Sequence, residues 1–255
     1  RDVAVGAKVV LRQEEKESRK KSSNAKPKTG GGRMMSLDAF RGLTVLGMLL
    51  VNTKVPHAPT LMQLRHAGWN EGIHFADMIF PWFIFLMGIA VPFSAAARQK
   101  SNVTSGKYYY DIVKRAAVLV LLGVLINSSY AGRPAFDFGV LQLIGFAYLG
   151  ASLIYDAPAR WRIAIAAGLL MAHWGAIRFL PLPGHEAGLF TESRNLVKFV
   201  DKKFFGPVGL EGLLSLAPTT ALAVIGTLIG DVLRDRGRLP SRRAFAIMGA
   251  GAAMI

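Results

Sequence analysis

The chain has no cysteine, few acidic residues and few charges of any kind for its length. Without cysteine there is no disulfide framework, no thiolate nucleophile and no cysteine-based zinc site. Histidine does not fill the gap, because no H-x-x-x-H or HExxH pattern occurs, and no metal site is expected. The first 33 residues lack an apolar stretch followed by a small-residue cleavage site, so they are not read as a secretory signal peptide. Charged residues make up 18% of the chain, below the roughly 25% usual for soluble domains. Hydrophobic residues make up 52%, and they come in runs too long to be the stripes of a soluble core. The composition is that of a membrane protein.

Reading those runs as helices gives spans near 37–54, 74–97, 110–130, 137–155, 161–180 and 211–233, with a seventh begun at about 244 and cut short. The runs far exceed the 9 to 11 residues of a barrel strand and lack period-two alternation. The expected fold is therefore all-α, a polytopic membrane bundle of about six full helices and a truncated seventh. Pro81 and Pro92 fall inside the second run, where a missing backbone donor predicts a kink and a broken helix. Residues 1–33 read as a disordered basic tail, and 34–255 as the transmembrane domain, incomplete at its C-terminal side.

The net charge of +15 could suggest nucleic acid, but Lys and Arg collect between the apolar runs and in the tail. With the tail inside, the inner segments hold ten basic residues in 1–33, five in Arg98–Arg115, two at Arg160 and Arg162, and five in Arg234–Arg243. The outer segments hold fewer, at Lys54, Arg65, Arg133, Arg178, Arg194, Lys198, Lys202 and Lys203. This bias puts the N-terminus in the cytoplasm and His66 on the periplasmic or lumenal side, and it makes the lipid bilayer, not nucleic acid, the expected partner of the chain.

Several polar residues stand within or beside these runs. Asp38 and Arg41 share one helix face behind Ser36, a natural N-cap, and read either as an interfacial ion pair or as a site offering a guanidinium to phosphates, helped by Lys114 and Arg115. Asn52 and Asp77 bracket His66. A rim carboxylate needs a partner, so Asp77 should meet His66, Arg65 or His74, or else simply cap its helix. Trp69 and Trp82 fit an interfacial aromatic belt better than sugar-stacking platforms. Gln142 and Asn127 are candidates for interhelical hydrogen bonds. His57, His173 and His185 have no acidic neighbour at ligand spacing.

Taken together, Ser36-Leu-Asp-Ala-Phe-Arg-Gly42, Val51-Asn52, His66-Ala-Gly-Trp-Asn70, Ala76-Asp-Met-Ile-Phe-Pro-Trp-Phe-Ile-Phe-Leu-Met-Gly88, Gly139-Val-Leu-Gln142 and Glu211-Gly-Leu-Leu-Ser215 resemble the heparan-alpha-glucosaminide N-acetyltransferase family, including its bacterial NagX-type members. The resemblance runs from about Met34 to Arg236. It departs at Glu71, which stands between Asn70 and Gly72, and at Leu210, where the family usually carries Pro.

What the resemblance implies is a membrane enzyme of ten or eleven helices that takes acetyl-CoA from the cytoplasm and acetylates a glucosamine-type amine on the periplasmic or lumenal side. The family's active-site histidine falls on His66, with Asn52 and Asp77 beside it in the motif. Asp38, Arg41, Lys114, Arg115 and Gln142 are the expected cofactor contacts; Trp69, Asn70, Trp82 and Glu211 are the expected acceptor contacts. A bacterial inner membrane, a glycan acceptor and a homodimer complete the expectation. The chemistry agrees, since acetyl transfer to an amine needs a base, and histidine, with a reference pKa near 6.5, suits that task at neutral pH. His66 can act as base or as an acylated nucleophile. The rival readings are a transporter of amino sugars or anions, whose broken helices and midplane charges would look similar, and a polysaccharide O-acyltransferase.

Overall fold

The computed structural model describes residues 35–53, 61–69, 71–101, 104–134, 136, 138–181, 188, 190–192, 194–205 and 212–235. Among them are seven α-helices and no β-strand: α1 (Met35–Asn52), α2 (Phe75–Lys100), α3 (Ser105–Ala131), α4 (Val140–Ile154), α5 (Ala159–Phe179), α6 (Leu196–Phe205) and α7 (Leu216–Asp235). Short 3-10 turns precede α2 at Met62–Leu64 and α7 at Leu213–Ser215. The basic tail and the run from 244 lie outside the described residues.

Every one of the six expected spans within the described residues is helical. Four are long and apolar enough to cross a bilayer: Met35–Asn52, Phe75–Gln99, Ser105–Ala131 and Leu213–Arg234. The protein is an integral membrane protein. Two of the six do not meet that standard. α4 has 15 residues, about 22 Å at 1.5 Å per residue against a hydrocarbon core of about 30 Å. α5 carries Arg160, Arg162 and Arg178 towards its ends. The outward faces of α1 and α3 bear exposed Leu46, Leu49, Leu121 and Leu125, as a lipid-facing surface requires.

Two expectations are corrected. α1 begins at Met35, so Ser36 stands in its first turn rather than at the cap. α2 runs unbroken through Pro81 and Pro92. Its middle is held by α7 at backbone distance. A Cβ built on Gly88 would lie 2.1 Å from the Ala223 carbonyl oxygen. Cβ atoms on Gly226 and Gly230 would lie 2.5 Å from the carbonyls of Phe85 and Ile89. Gly226-Thr-Leu-Ile-Gly230 is thus a small-xxx-small face, the means by which helices associate where lipid removes the hydrophobic drive between them. Ile84 and Met87 of α2, Ile144, Ala147 and Ala151 of α4, Ala166 of α5 and Ala221, Ala223 and Val224 of α7 form the core around this crossing.

The far end of α7 is tied electrostatically. Arg162, buried in α5, reaches Asp231 at 2.6 Å and donates to the Thr227 hydroxyl at 3.0 Å. Tyr155 donates to the other Asp231 oxygen at 3.0 Å and accepts from Arg234 at 2.9 Å. At the near end, α6 docks through the Asp201 carboxylate, which accepts from the Leu213 amide at 2.8 Å.

Candidate functional site

α1 and α2 run antiparallel, with Gly47 against Ile79, and Val51 in one apolar cluster with Ala76 and Ile79. That pairing brings the end of α1, the start of α2 and the loop between them to one place. Asn52, His66 and Asp77 all line a cavity of about 430 Å³ there, walled by Met48, Val51, Ala76, Ile79, Phe80 and Val140. The three residues singled out by resemblance therefore share one space.

Asp77 receives bonds from several directions. His66 Nδ1 donates to Oδ1 at 2.8 Å, and the amides of Ala67 and His74 donate to Oδ2 at 3.2 and 3.0 Å. A carboxylate only accepts, so the His66 proton resides on Nδ1 and Nε2 is left as the ring's acceptor. The His66 side chain is 64% exposed, and Asp77 28%, so the pair sits at the mouth of the cavity with a solvent path.

The loop that carries His66 is built from residues that sequence spacing could not pair. Arg65 donates to Glu71 at 3.0 Å and forms an ion pair with its other oxygen at 2.9 Å; the Gly68 amide donates to Glu71 at 3.0 Å. Glu71 is thus what closes the His66–Trp69 turn. The Gly68 amide bond, and then Arg65, hold the Glu71 carboxyl below its ordinary range. A carboxyl depressed on folding lends its support above its unfolded value and loses it as pH falls towards the folded one. Amide exchange at residues 66–69 should therefore accelerate as pH drops from neutral to below about 4, after correction for the intrinsic exchange rate, with His66 still in place at pH 6. In a Glu71→Gln protein the rise at Gly68, whose amide Glu71 accepts, should be lost.

The remaining candidates are distributed over other places. Lys114 and Arg115 line a second cavity, of about 620 Å³, with Asp111, Phe83, Met87, Leu141, Ile144 and Tyr148. Phe80 and Val140 of the first cavity stand beside Phe83 and Leu141 of the second, one turn or less apart on α2 and α4. Asp38 and Arg41 line neither cavity; Arg41 is eleven residues before Asn52, about 16 Å along the α1 axis. Gln142 is buried, accepts from the Gly139 amide at 3.2 Å, packs on Gly123 of α3, and lines a third, apolar cavity with Phe138 and Phe146. Trp82 lies between Phe40 and Phe75, at ring distances of 6.2 and 5.7 Å, and Trp69 tilts against Phe190 at 4.9 Å. Asn70 and Glu211, with His57 and His185, lie outside the described residues. No group of three or more metal-ligating side chains occurs among the described residues.

Comparison with known proteins decides what this arrangement belongs to. The family model described as heparan-alpha-glucosaminide N-acetyltransferase, catalytic, matches residues 33–249. The chain belongs to this family. It is 28% identical over 198 residues to the mouse heparan-alpha-glucosaminide N-acetyltransferase, a match covering 66% of the chain and 30% of the mouse protein. The human protein of the same name is 30% identical over 128 residues, covering 48% of the chain and 19% of the human sequence. The chain thus spans about a third or less of the length of these relatives. The family match contains α1 to α7 and every described residue of the His66 cavity.

Proposed function

We propose that the protein transfers an acetyl group from cytoplasmic acetyl-CoA to the amine of a glucosamine-type sugar on the other side of the membrane. The observation that carries this reading is the 2.8 Å His66–Asp77 pair at a cavity that Asn52 also lines. The amine attacks the thioester carbonyl carbon, a C–N bond forms, the C–S bond breaks and coenzyme A leaves as its thiolate. His66 Nε2 takes the proton that the amine sheds, while Asp77 holds the ring and stabilises the imidazolium. Asn52 donates to the thioester oxygen as negative charge builds on it.

Lys114 and Arg115 suit the phosphates of acetyl-CoA, because their cavity is large, apolar-walled and cationic at one side; Asp111 in the same wall keeps that field local. The adjoining lining on α2 and α4 supports a passage for the pantetheine arm towards His66. In this scheme Arg41 and Asp38 attend the cofactor at the cytoplasmic surface and Gln142 fixes α4 beside it. Trp69 flanks the acceptor at the rim and Trp82 supports the α1–α2 wall, with Asn70 and Glu211 as further proposed acceptor contacts. A bacterial inner membrane with the N-terminus in the cytoplasm is the proposed setting, with a glycan acceptor and a homodimer as the working assembly.

Sidedness and activity are tested together. In sealed vesicles an Asn70→Cys protein should react with an impermeant maleimide from the periplasmic side, and Ser105→Cys only after permeabilisation. The natural absence of cysteine keeps the background clean. Acetyl-CoA on the cytoplasmic side should be consumed only when glucosamine is present on the other. A reversed labelling pattern overturns the orientation, and consumption independent of amino sugar overturns the acceptor class.

A further inference from the structure

His74 is one of few polar residues buried among the described residues, at 2% exposure, and it stands immediately before α2 with extended backbone (φ −95°, ψ 164°). Its backbone carbonyl accepts from the Asp77 amide at 3.0 Å, and its other three polar groups act unequally. The backbone amide donates to Asp77 Oδ2 at 3.0 Å, on the same carboxylate that binds His66. The ring Nδ1 lies 3.0 Å from the Arg65 carbonyl oxygen, and since a carbonyl can only accept, Nδ1 carries the proton. The ring Nε2 is buried and has no hydrogen-bond partner among the described residues.

The bond to Arg65 is the one with a consequence for chemistry. Arg65 directly precedes His66, so fixing the Arg65 carbonyl fixes the peptide from which the His66 side chain springs. His74 thus joins the loop to the start of α2 twice, once through Asp77 and once through Arg65, and both links converge on His66. Glu71 closes the turn from its other side, but it bonds the Arg65 side chain and the Gly68 amide and leaves the Arg65 carbonyl to His74.

We infer that His74 is a positioning residue for His66, acting through its Nδ1–H bond to the Arg65 carbonyl. The inference rests on the reading of His66 as the base. It predicts a difference between two isosteric amides, because the side-chain nitrogen of asparagine is attached at the same carbon position as histidine Nδ1, and that of glutamine one atom further, where Nε2 lies.

The test measures acetyl transfer to glucosamine in membranes for His74→Asn, His74→Gln, His74→Ala and His66→Ala. His74→Asn should keep kcat within about threefold of wild type, whereas His74→Gln and His74→Ala should lose about tenfold or more, as displaced catalytic groups do, with the acetyl-CoA KM unchanged. Equal activity in the two amides, or a loss in KM rather than kcat, overturns the inference, and the Asn–Gln comparison stands even if His74→Ala fails to fold. An inactive His66→Ala beside a fully active His74→Gln removes the role of His74 alone. An active His66→Ala removes the reading of His66 on which it rests.

Discussion

Replacing His66 by alanine should lower acetyl transfer by about 10²- to 10⁴-fold, the range for a lost general acid or base, while the protein remains folded and inserted. The side chain is largely exposed, and its one described bond is to Asp77. Asp77 itself keeps the Ala67 and His74 amides when the ring is removed, so the start of α2 retains its links to the loop. Acetyl-CoA affinity, measured by isothermal titration in detergent, should be unchanged, because the cationic cavity around Lys114 and Arg115 has a separate lining. Near-normal turnover in well-folded His66→Ala protein would sink the assignment.

The second large effect concerns folding rather than chemistry. Gly88→Val should destabilise the bundle by about 3 kcal/mol, at the upper end for overpacking, since the clash is with the Ala223 carbonyl and not with a side chain that can turn away. The thermal midpoint should fall by roughly 6 to 12 °C. Gly226→Val should behave alike, against the Phe85 carbonyl. Gly168→Ala, where a Cβ meets nothing within 4 Å, should be neutral or slightly stabilising and serves as the control. A Gly88→Val protein as heat-stable as wild type would mean that α2 and α7 are not in backbone contact.

The helices were legible because a segment facing lipid must be apolar along its whole length, and that signal needs no knowledge of neighbours. The need of a rim carboxylate for a partner left Asp77 a choice of His66, Arg65, His74 or a plain capping role, and only resemblance singled out His66 with Asn52 beside it, since nothing in a spacing of eleven residues says that a loop folds back on a helix start. Glu71 shows the limit. Its charge was visible, but its pairing with Arg65 and Gly68 depends on a turn that spacing does not encode. Gly226 and Gly230 were equally visible at four-residue spacing, while their partner lay some 140 positions earlier in α2. α6 escaped notice for a different reason: ten residues with Lys198, Lys202 and Lys203 do not make an apolar run. The break expected at Pro81 and Pro92 does not occur, since α2 is one continuous helix through both.

The bonds at the two ends of α7 have a mechanical consequence. Asp201 grips the turn before its first residue, and Arg162 grips Asp231 near its last. A helix fastened at both ends resists sliding along its axis and turning about it, and α2 is seated on its glycines at backbone distance. Asp77 thus belongs to the helix that α7 braces, whereas Asn52 rides on α1, whose packing runs chiefly through α2. Any widening of the cavity falls more readily to α1 than to the bundle, so the size of what enters should be governed by its lining residues Met48 and Val51.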